Sequence, residues 1–590
     1  MSKGKGMGRK PFSLLNGTFP RRLALALALW TLLPAAAAQT PNAEDSARAG
    51  AANERLIQLQ QQLEREERER LEQLRRAPRG TIIETEPAAV LSAPDECARI
   101  DHIELEGASL ISEGDRTTLF QSFLGQCLGL GRINDLLAAL TNFYVERGYV
   151  TARAYVPQQD TVTGVLHIVV IEGELESIEL APNSRGHINL ATAFPMLIGK
   201  PVDLRAIEQG LDQLNRLQSN NVRIDIASGE KAGGSRLIVR NEARKRWFGN
   251  FSVDSTGQDS TGKFQSAISA GWDDPLRLND FINVSFRHNL DGELDRSKSR
   301  AISTFYSIPF GYFTAAASFS DFEYRSIVAG QVVDFNTSGN TRTGNLKLDR
   351  VLFRDQTRKV MLSAGVTKKN TRNFIENELI ATNSRDLTIL DATLNISFIW
   401  RGALFSTDVG VSKGLKALGA LVEPSGLAPE APAAQFSKLN YSLYVTRPFA
   451  LGPLTMVYMG SVNGQYTDDV LFGTEQFLIG GPFSVRGYRA NSISGDTGVY
   501  ARNELRFPVA ASIFFPSLTW PGSIEPYTGF DIGKVFDHFE VPGGTLTGWT
   551  VGLALRLKAA SFDFAYSAPA VYPRGFAGDD YLYARIALAF

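Results

Sequence analysis

Cysteine is nearly absent from this 590-residue chain: Cys97 and Cys127 are the only two. A thiolate metal cluster and a disulfide-dense scaffold are therefore excluded. There are five histidines, and His102, His167 and His187 stand alone without metal-ligand spacing. No Gly-x-Ser-x-Gly elbow and no phosphate-cradling loop occurs, so no constellation supports an enzyme, and neither a metal nor a cofactor is expected. Net charge is also lacking, at 61 − 62 = −1. No basic patch stands out, and nucleic acid is not an expected partner. Long apolar runs are missing too, except Leu23 to Ala38.

That one run is short for a spanning helix, which needs about 20 apolar residues. It follows Lys3, Lys5, Arg9, Lys10, Arg21 and Arg22 and ends in four alanines before Gln39. Basic start, apolar middle and small-residue end describe a secretory signal peptide over 1–38. Its removal takes away six positive charges and leaves 55 − 62 = −7. An exported chain meets an oxidising compartment, where Cys97 and Cys127 are expected to pair; two free buried thiols are the alternative.

Residues 39–77 contain a run from Asp45 to Arg76 rich in Ala, Glu, Gln, Arg and Leu, strong helix formers. Its middle, Glu64 to Arg70, is charged on every side, which bars it from an apolar core. A solvated helix and a helix lodged in a water-filled cavity both remain open. A proline-containing linker, 78–96, follows. Then the text repeats itself. Ile133, Leu136, Leu140 and Phe143 form a helical stripe, and Leu204, Ile207, Leu211 and Leu214 repeat it 71 positions later. Each stripe sits in a β-α-α-β-β pattern, which predicts two small α+β domains at 97–174 and 175–242, each with an open sheet edge.

From 243 to 590 the periodicity changes to two. Leu394, Ile396, Phe398 and Trp400 alternate with Thr393, Asn395 and Ser397, and similar runs continue to Phe590. Segments near ten residues long, with aromatics near their ends, predict a transmembrane β-barrel of about 16 antiparallel strands. A barrel of that size has a polar lumen that another part of the chain can fill. The rival is a large secreted β-domain.

The order of parts resembles the outer-membrane transporters of two-partner secretion (the TpsB family of hemolysin secretion/activation proteins, ShlB/FhaC/HecB-like). The resemblance is carried by Cys127-Leu-Gly129, Arg147-Gly-Tyr-Val-Thr-Ala-Arg-Ala-Tyr155-Val-Pro157, Glu208-Gln-Gly-Leu-Asp-Gln-Leu-Asn-Arg216, Val485-Arg-Gly-Tyr488 and Gly529-Phe-Asp-Ile-Gly533. It implies that the two repeats are periplasmic POTRA domains that bind an unfolded, secreted exoprotein of hemagglutinin, hemolysin or adhesin type. Arg147, Gly148, Tyr149 and Tyr155 are then candidate client-binding residues. It further implies a plug-like role for the N-terminal helix and ATP-free conduction by an outer-membrane barrel among lipids, expected as a monomer. The long loop 467–496, with its Val-Arg-Gly-Tyr motif, is implied to fold inside.

Strand parity adds a physical reading. Phe530 and Ile532 share one face of their strand, and Gly529, Asp531 and Gly533 share the other, which should be the lumen. Arg486, between Val485 and Gly487, then has a carboxylate within reach, and a latch of Val485, Arg486, Gly487, Tyr488, Phe530, Asp531 and Gly533 is expected. Arg502, Glu504 and Arg506 take the lumen parity of the neighbouring strand. The alternative for Arg486 is an exposed loop arginine. At the level of function, a BamA-like outer-membrane insertase and a passive porin are the competing readings; room for only two repeats weighs against the first, and the repeats themselves against the second. N-terminal sequencing of the membrane-inserted protein is expected to begin at Gln39; a start at Met1 would show that 1–38 is retained.

Overall fold

The computed structural model describes residues 43–76, 97–159, 163–291, 297–329, 334–489, 491–513, 522–539 and 542–590, with side chains in the N-terminal helix from 47 to 68. The signal segment 1–38 and the linker 78–96 lie outside the described residues.

Apolar stripes at helical spacing produce two small domains with one plan. In the first, β2 (His102–Glu106), β5 (Val165–Ile171) and β4 (Arg153–Tyr155) form a sheet in the order β2-β5-β4. Helix α3 (Leu130–Glu146) buries Leu136, Leu140, Phe143 and Tyr144 against it, with Leu166, Ile168 and Val170 from the central strand. In the second, β6 (Glu174–Leu180), β8 (Gly234–Asn241) and β7 (Val222–Ser228) repeat the order, and α5 (Leu204–Asn215) turns Ile207 and Leu214 onto Leu237 and Val239. Among the described residues the outer strands of each sheet, β2 and β4 in the first and β6 and β7 in the second, each keep one edge that no other strand pairs with.

The first domain carries an extra pair that alternation did not predict. β1 (Ala98–Ile100) lies antiparallel to β3 (Gln126–Leu128), with Arg99 opposite Cys127. This register brings Cys97 and Cys127 together, and they form a disulfide with Cα atoms 5.3 Å apart.

Downstream, sixteen antiparallel strands run from Trp247–Asp254 to Tyr581–Ala589 and close into a barrel. Closure occurs where Arg585 to Ala589 pair with Asp254 to Asn250, and Gly249 and Phe590 exchange both backbone hydrogen bonds at 2.9 and 3.0 Å. The period-2 pattern sorts side chains as expected. Phe530, Ile532, Trp549, Val551, Leu553, Leu582, Ile586 and Leu588 are exposed on the outer surface, while Asp531, Thr550 and Ser567 are buried on the inner one.

The lumen is occupied. Helix α1 (Ala43–Arg76) runs along the inner faces of the strands Phe313–Val328, Phe335–Arg354 and Arg358–Ile375. Its few apolar residues have partners there: Leu56 and Ile57 pack on Ala301, Phe322 and Tyr324, and Ala49 packs on Phe335 and Ile375. Between residues 47 and 68 its polar side chains Glu54, Gln58 and Gln62 meet polar wall and loop, which is how so polar a helix can be enclosed. The disulfide closes a loop of 30 positions; replacing Cys97 and Cys127 by serine is expected to destabilise the first small domain by about 3 kcal/mol. Protease resistance of that domain, with and without reductant, measures the effect.

Candidate functional site

Between the strands Leu454–Tyr466 and Gly498–Arg506 the chain leaves the wall and turns inward. A short 3-10 turn, Gly473–Glu475, leads into a small hairpin pairing Phe477–Ile479 with Ile493–Gly495. Phe477, Ile479, Val485 and Tyr488 form an apolar cluster with Val535 and Leu546 of the wall. This cluster seats the backbone so that Arg486 faces the strand Ser523–Val535.

Arg486 uses every side of its guanidinium. Nε and Nη2 donate to Asp531 Oδ2 and Oδ1 at 2.6 and 2.8 Å, its own backbone N–H donates to Oδ2 at 3.1 Å, and Nη1 donates to Glu504 Oε2 at 2.8 Å. Asp531 is fully buried and the Arg486 side chain is 8% exposed. A planar fork meeting a carboxylate in two parallel bonds fixes orientation as well as distance. The fit depends on missing side chains: a Cβ on Gly529 would strike the Arg486 guanidinium, and one on Gly548 its carbonyl. Gly533 lies under Val485, whereas Phe530 points away to the outer surface.

The motif has further fixings. The Tyr488 hydroxyl lies 2.7 Å from the carbonyl oxygens of Thr547 and Val571. Arg489 pairs with Asp259 at 2.5 Å, tying this loop to the first one of the barrel. Arg506 donates to Glu504 at 2.6 Å and reaches Glu525 at 3.3 Å. Arg502 joins Arg287, Arg486, Arg506 and Arg585 around a cavity of about 450 Å³, into which Glu66 and Glu67 of α1 project.

Sequence reasoning missed a second anchor. Glu475, buried, pairs with Lys369 at 2.5 Å and Lys438 at 3.0 Å, side chains from two other strands of the wall. The turn and the hairpin also hold the helix, Gln58 donating to the Gly473 carbonyl and Gln62 to the Leu478 carbonyl at 3.1 Å, while Glu54 pairs with Arg385 of the wall. Loop and helix are thus joined to each other and, through separate ions, to the wall. Lys438 lies on the polar parity of its strand and Glu475 is the one glutamate in 467–496; those were the available signals, but nothing local joined them.

The four residues suggested for client binding lie apart from this site. Arg147 stacks on the Phe143 ring at 3.5 Å and pairs with Asp115 at 2.9 Å. Hydrogen bonds from Ser112, aided by Arg147, hold the Asp115 carboxyl below its ordinary range. Gly148, at φ +99°, accepts from the Leu204 N–H at 2.9 Å, linking the two small domains. Tyr149 packs edge-on against Tyr144. Tyr155, 45% exposed on the edge strand β4, alone presents a large apolar face.

A closed lipid-facing barrel with an inward-folded loop, a lumen helix and two α+β domains at one mouth defines an outer-membrane transporter of the POTRA-and-barrel class. Residues 233–555 match the family of haemolysin secretion/activation proteins ShlB/FhaC/HecB, and residues 98–173 and 174–228 match an ShlB-type POTRA domain and a POTRA domain. The outer membrane transporter CdiB of Escherichia coli is 31% identical over 538 residues, covering 90% of this chain and 89% of that protein. The hemolysin transporter protein ShlB of Serratia marcescens is 32% identical over 488 residues, covering 82% and 84%. The solved structure of CdiB from Escherichia coli superposes with a TM-score of 0.81 at 29% identity, covering 94% of this chain and all of that one. The chain belongs to the ShlB/FhaC/HecB family of two-partner secretion transporters, located in the outer membrane with its POTRA domains in the periplasm.

Removing Arg486 leaves Asp531 buried without its counter-ion, a loss of about 3–5 kcal/mol. Arg486→Ala is therefore expected to lower the thermal midpoint of the inserted protein and to expose the loop to added protease. Glu475→Gln is expected to raise conductance in planar bilayers, because Lys369 and Lys438 then face each other without a carboxylate and the turn that holds α1 loosens.

Proposed function

We propose that this transporter captures an unfolded exoprotein in the periplasm, conducts it to the cell surface without ATP, and rests with α1 in the lumen as a plug. The carrying observation is the joint held by Arg486, Asp531 and Glu504: a buried, fully directed ion pair that fixes the loop within the pore. Its role is to hold the loop in the shape in which the lumen conducts. For capture, the unpaired edges of β4 and β7 suit a client that is extended in transit, because an added strand is recognised through its backbone and tolerates many sequences. Tyr155 would lie beside such a strand. The apolar outer surface meets lipid, and a barrel closed on its own first strand needs no second copy to complete the pore, which favours a monomer.

Secretion of the cognate exoprotein is the test. Arg486→Ala and Asp531→Ala variants that still insert are expected to secrete little, and deletion of 97–174 is expected to abolish export while the barrel remains in the membrane. Wild-type export by both point variants would reject the latch, and unchanged export by the deletion would reject capture by the first POTRA domain.

A further inference from the structure

The segment Glu208–Arg216 stood out in the sequence, yet neither the latch nor the edge strands use it. It forms most of α5, and its two faces differ sharply. Ile207 and Leu214 enter the core of the second POTRA domain. Glu208, Gln209, Asp212, Gln213 and Arg216 recur at the three- and four-residue spacing of one helical stripe, and that stripe meets the barrel. Gln209 and Gln213 both donate to the Gly311 carbonyl, at 3.1 and 2.8 Å. Arg354 donates to Gln209 at 3.1 Å and Asp212 at 3.0 Å and lies 3.6 Å from Glu208; Lys359 reaches Asp212 at 3.4 Å. Arg216 donates to the Ser307 hydroxyl at 2.6 Å and the Asn279 carbonyl at 2.5 Å. One residue on, Leu217 packs with Phe281 and Phe305 of the barrel.

We propose that Glu208–Arg216 is a docking helix that fixes the second POTRA domain under the 273–359 side of the barrel mouth and stays docked during transport, so that the client passes the mouth on the other side. Three features carry this. The Glu208 and Arg354 side chains are each 3% exposed, so the charges are committed to this joint and not to a passing peptide. The contacts fall on three successive periplasmic turns, around Asn279, Gly311 and Arg354, which prevents pivoting about one point. A buried ion network contributes more to geometric specificity than to affinity, and losing one member leaves an uncompensated charge. The docking face is the side of α5 away from its own core, so a client strand could still pair with β7.

The full-length protein in lipid nanodiscs, spin-labelled at Lys231→Cys and Ala559→Cys, tests the joint without any client. A single narrow distance distribution is expected. Arg354→Glu should shift the docked-to-undocked ratio by about 100-fold and broaden it; Arg354→Lys should not. If Arg354→Glu fails to insert, Gln213→Leu and Asp212→Asn remove contacts without burying a reversed charge and should broaden it in the same way. An unchanged distribution in an inserted Arg354→Glu protein, or in both milder variants, overturns the proposal. The secretion arm rests on the transport reading above. A short bis-maleimide bridge between Gln213→Cys and Thr314→Cys should leave export intact and restore it to the Arg354→Glu variant. Export blocked by the bridge would show that the joint must open, which also overturns the proposal while leaving transport itself established.

Discussion

Backbone pairing is the constraint on which the rest of this molecule depends. In hydrocarbon no water is available to an unpaired N–H or C=O, so a strand that crosses the membrane needs a partner on each side. The chain meets that demand only by returning its last strand to its first, at the junction of Gly249 and Phe590. Sixteen strands then enclose a space too wide for wall side chains alone to fill. The inward loop, the lumen helix and the charged inner wall all follow from having to occupy that space with polar material.

Within the lumen, charge fixes position. Arg486 meets Asp531 and Glu504 on one wall, and Glu475 meets Lys369 and Lys438 on another. Each carboxylate gives up hydration to be there, a cost that only close, multiply bonded geometry can offset. The loop between them has two fixed ends and an apolar cluster in the middle. Displacing it requires breaking ion pairs in more than one place.

What could be read from the sequence was whatever a short repeat encodes. Period-2 alternation marks the barrel and, through parity, puts Asp531 inside and Phe530 outside, so the pairing of Arg486 with Asp531 is legible in the sequence. Helical stripes 71 positions apart gave both POTRA domains. Pairings set by distant segments were not legible. The β1–β3 ladder that brings the cysteines together joins strands too short to show a period. Glu475 finds lysines 106 and 37 positions away, and nothing local marks it. Helix α1 was ambiguous for a similar reason: an all-round polar surface says what a helix cannot touch, and only the closed wall says what it does touch.

That polar surface sets how the occluded lumen can be reopened. The bonds that Gln58, Gln62 and Glu54 of α1 make are of a kind that water and ions can replace one for one. A helix seated by an apolar seam would carry that seam into water on leaving and would collapse onto itself or aggregate. Among its described residues this helix has only the short seam of Ala49, Leu56 and Ile57 to uncover, so the apolar cost of vacating the lumen is confined to three side chains.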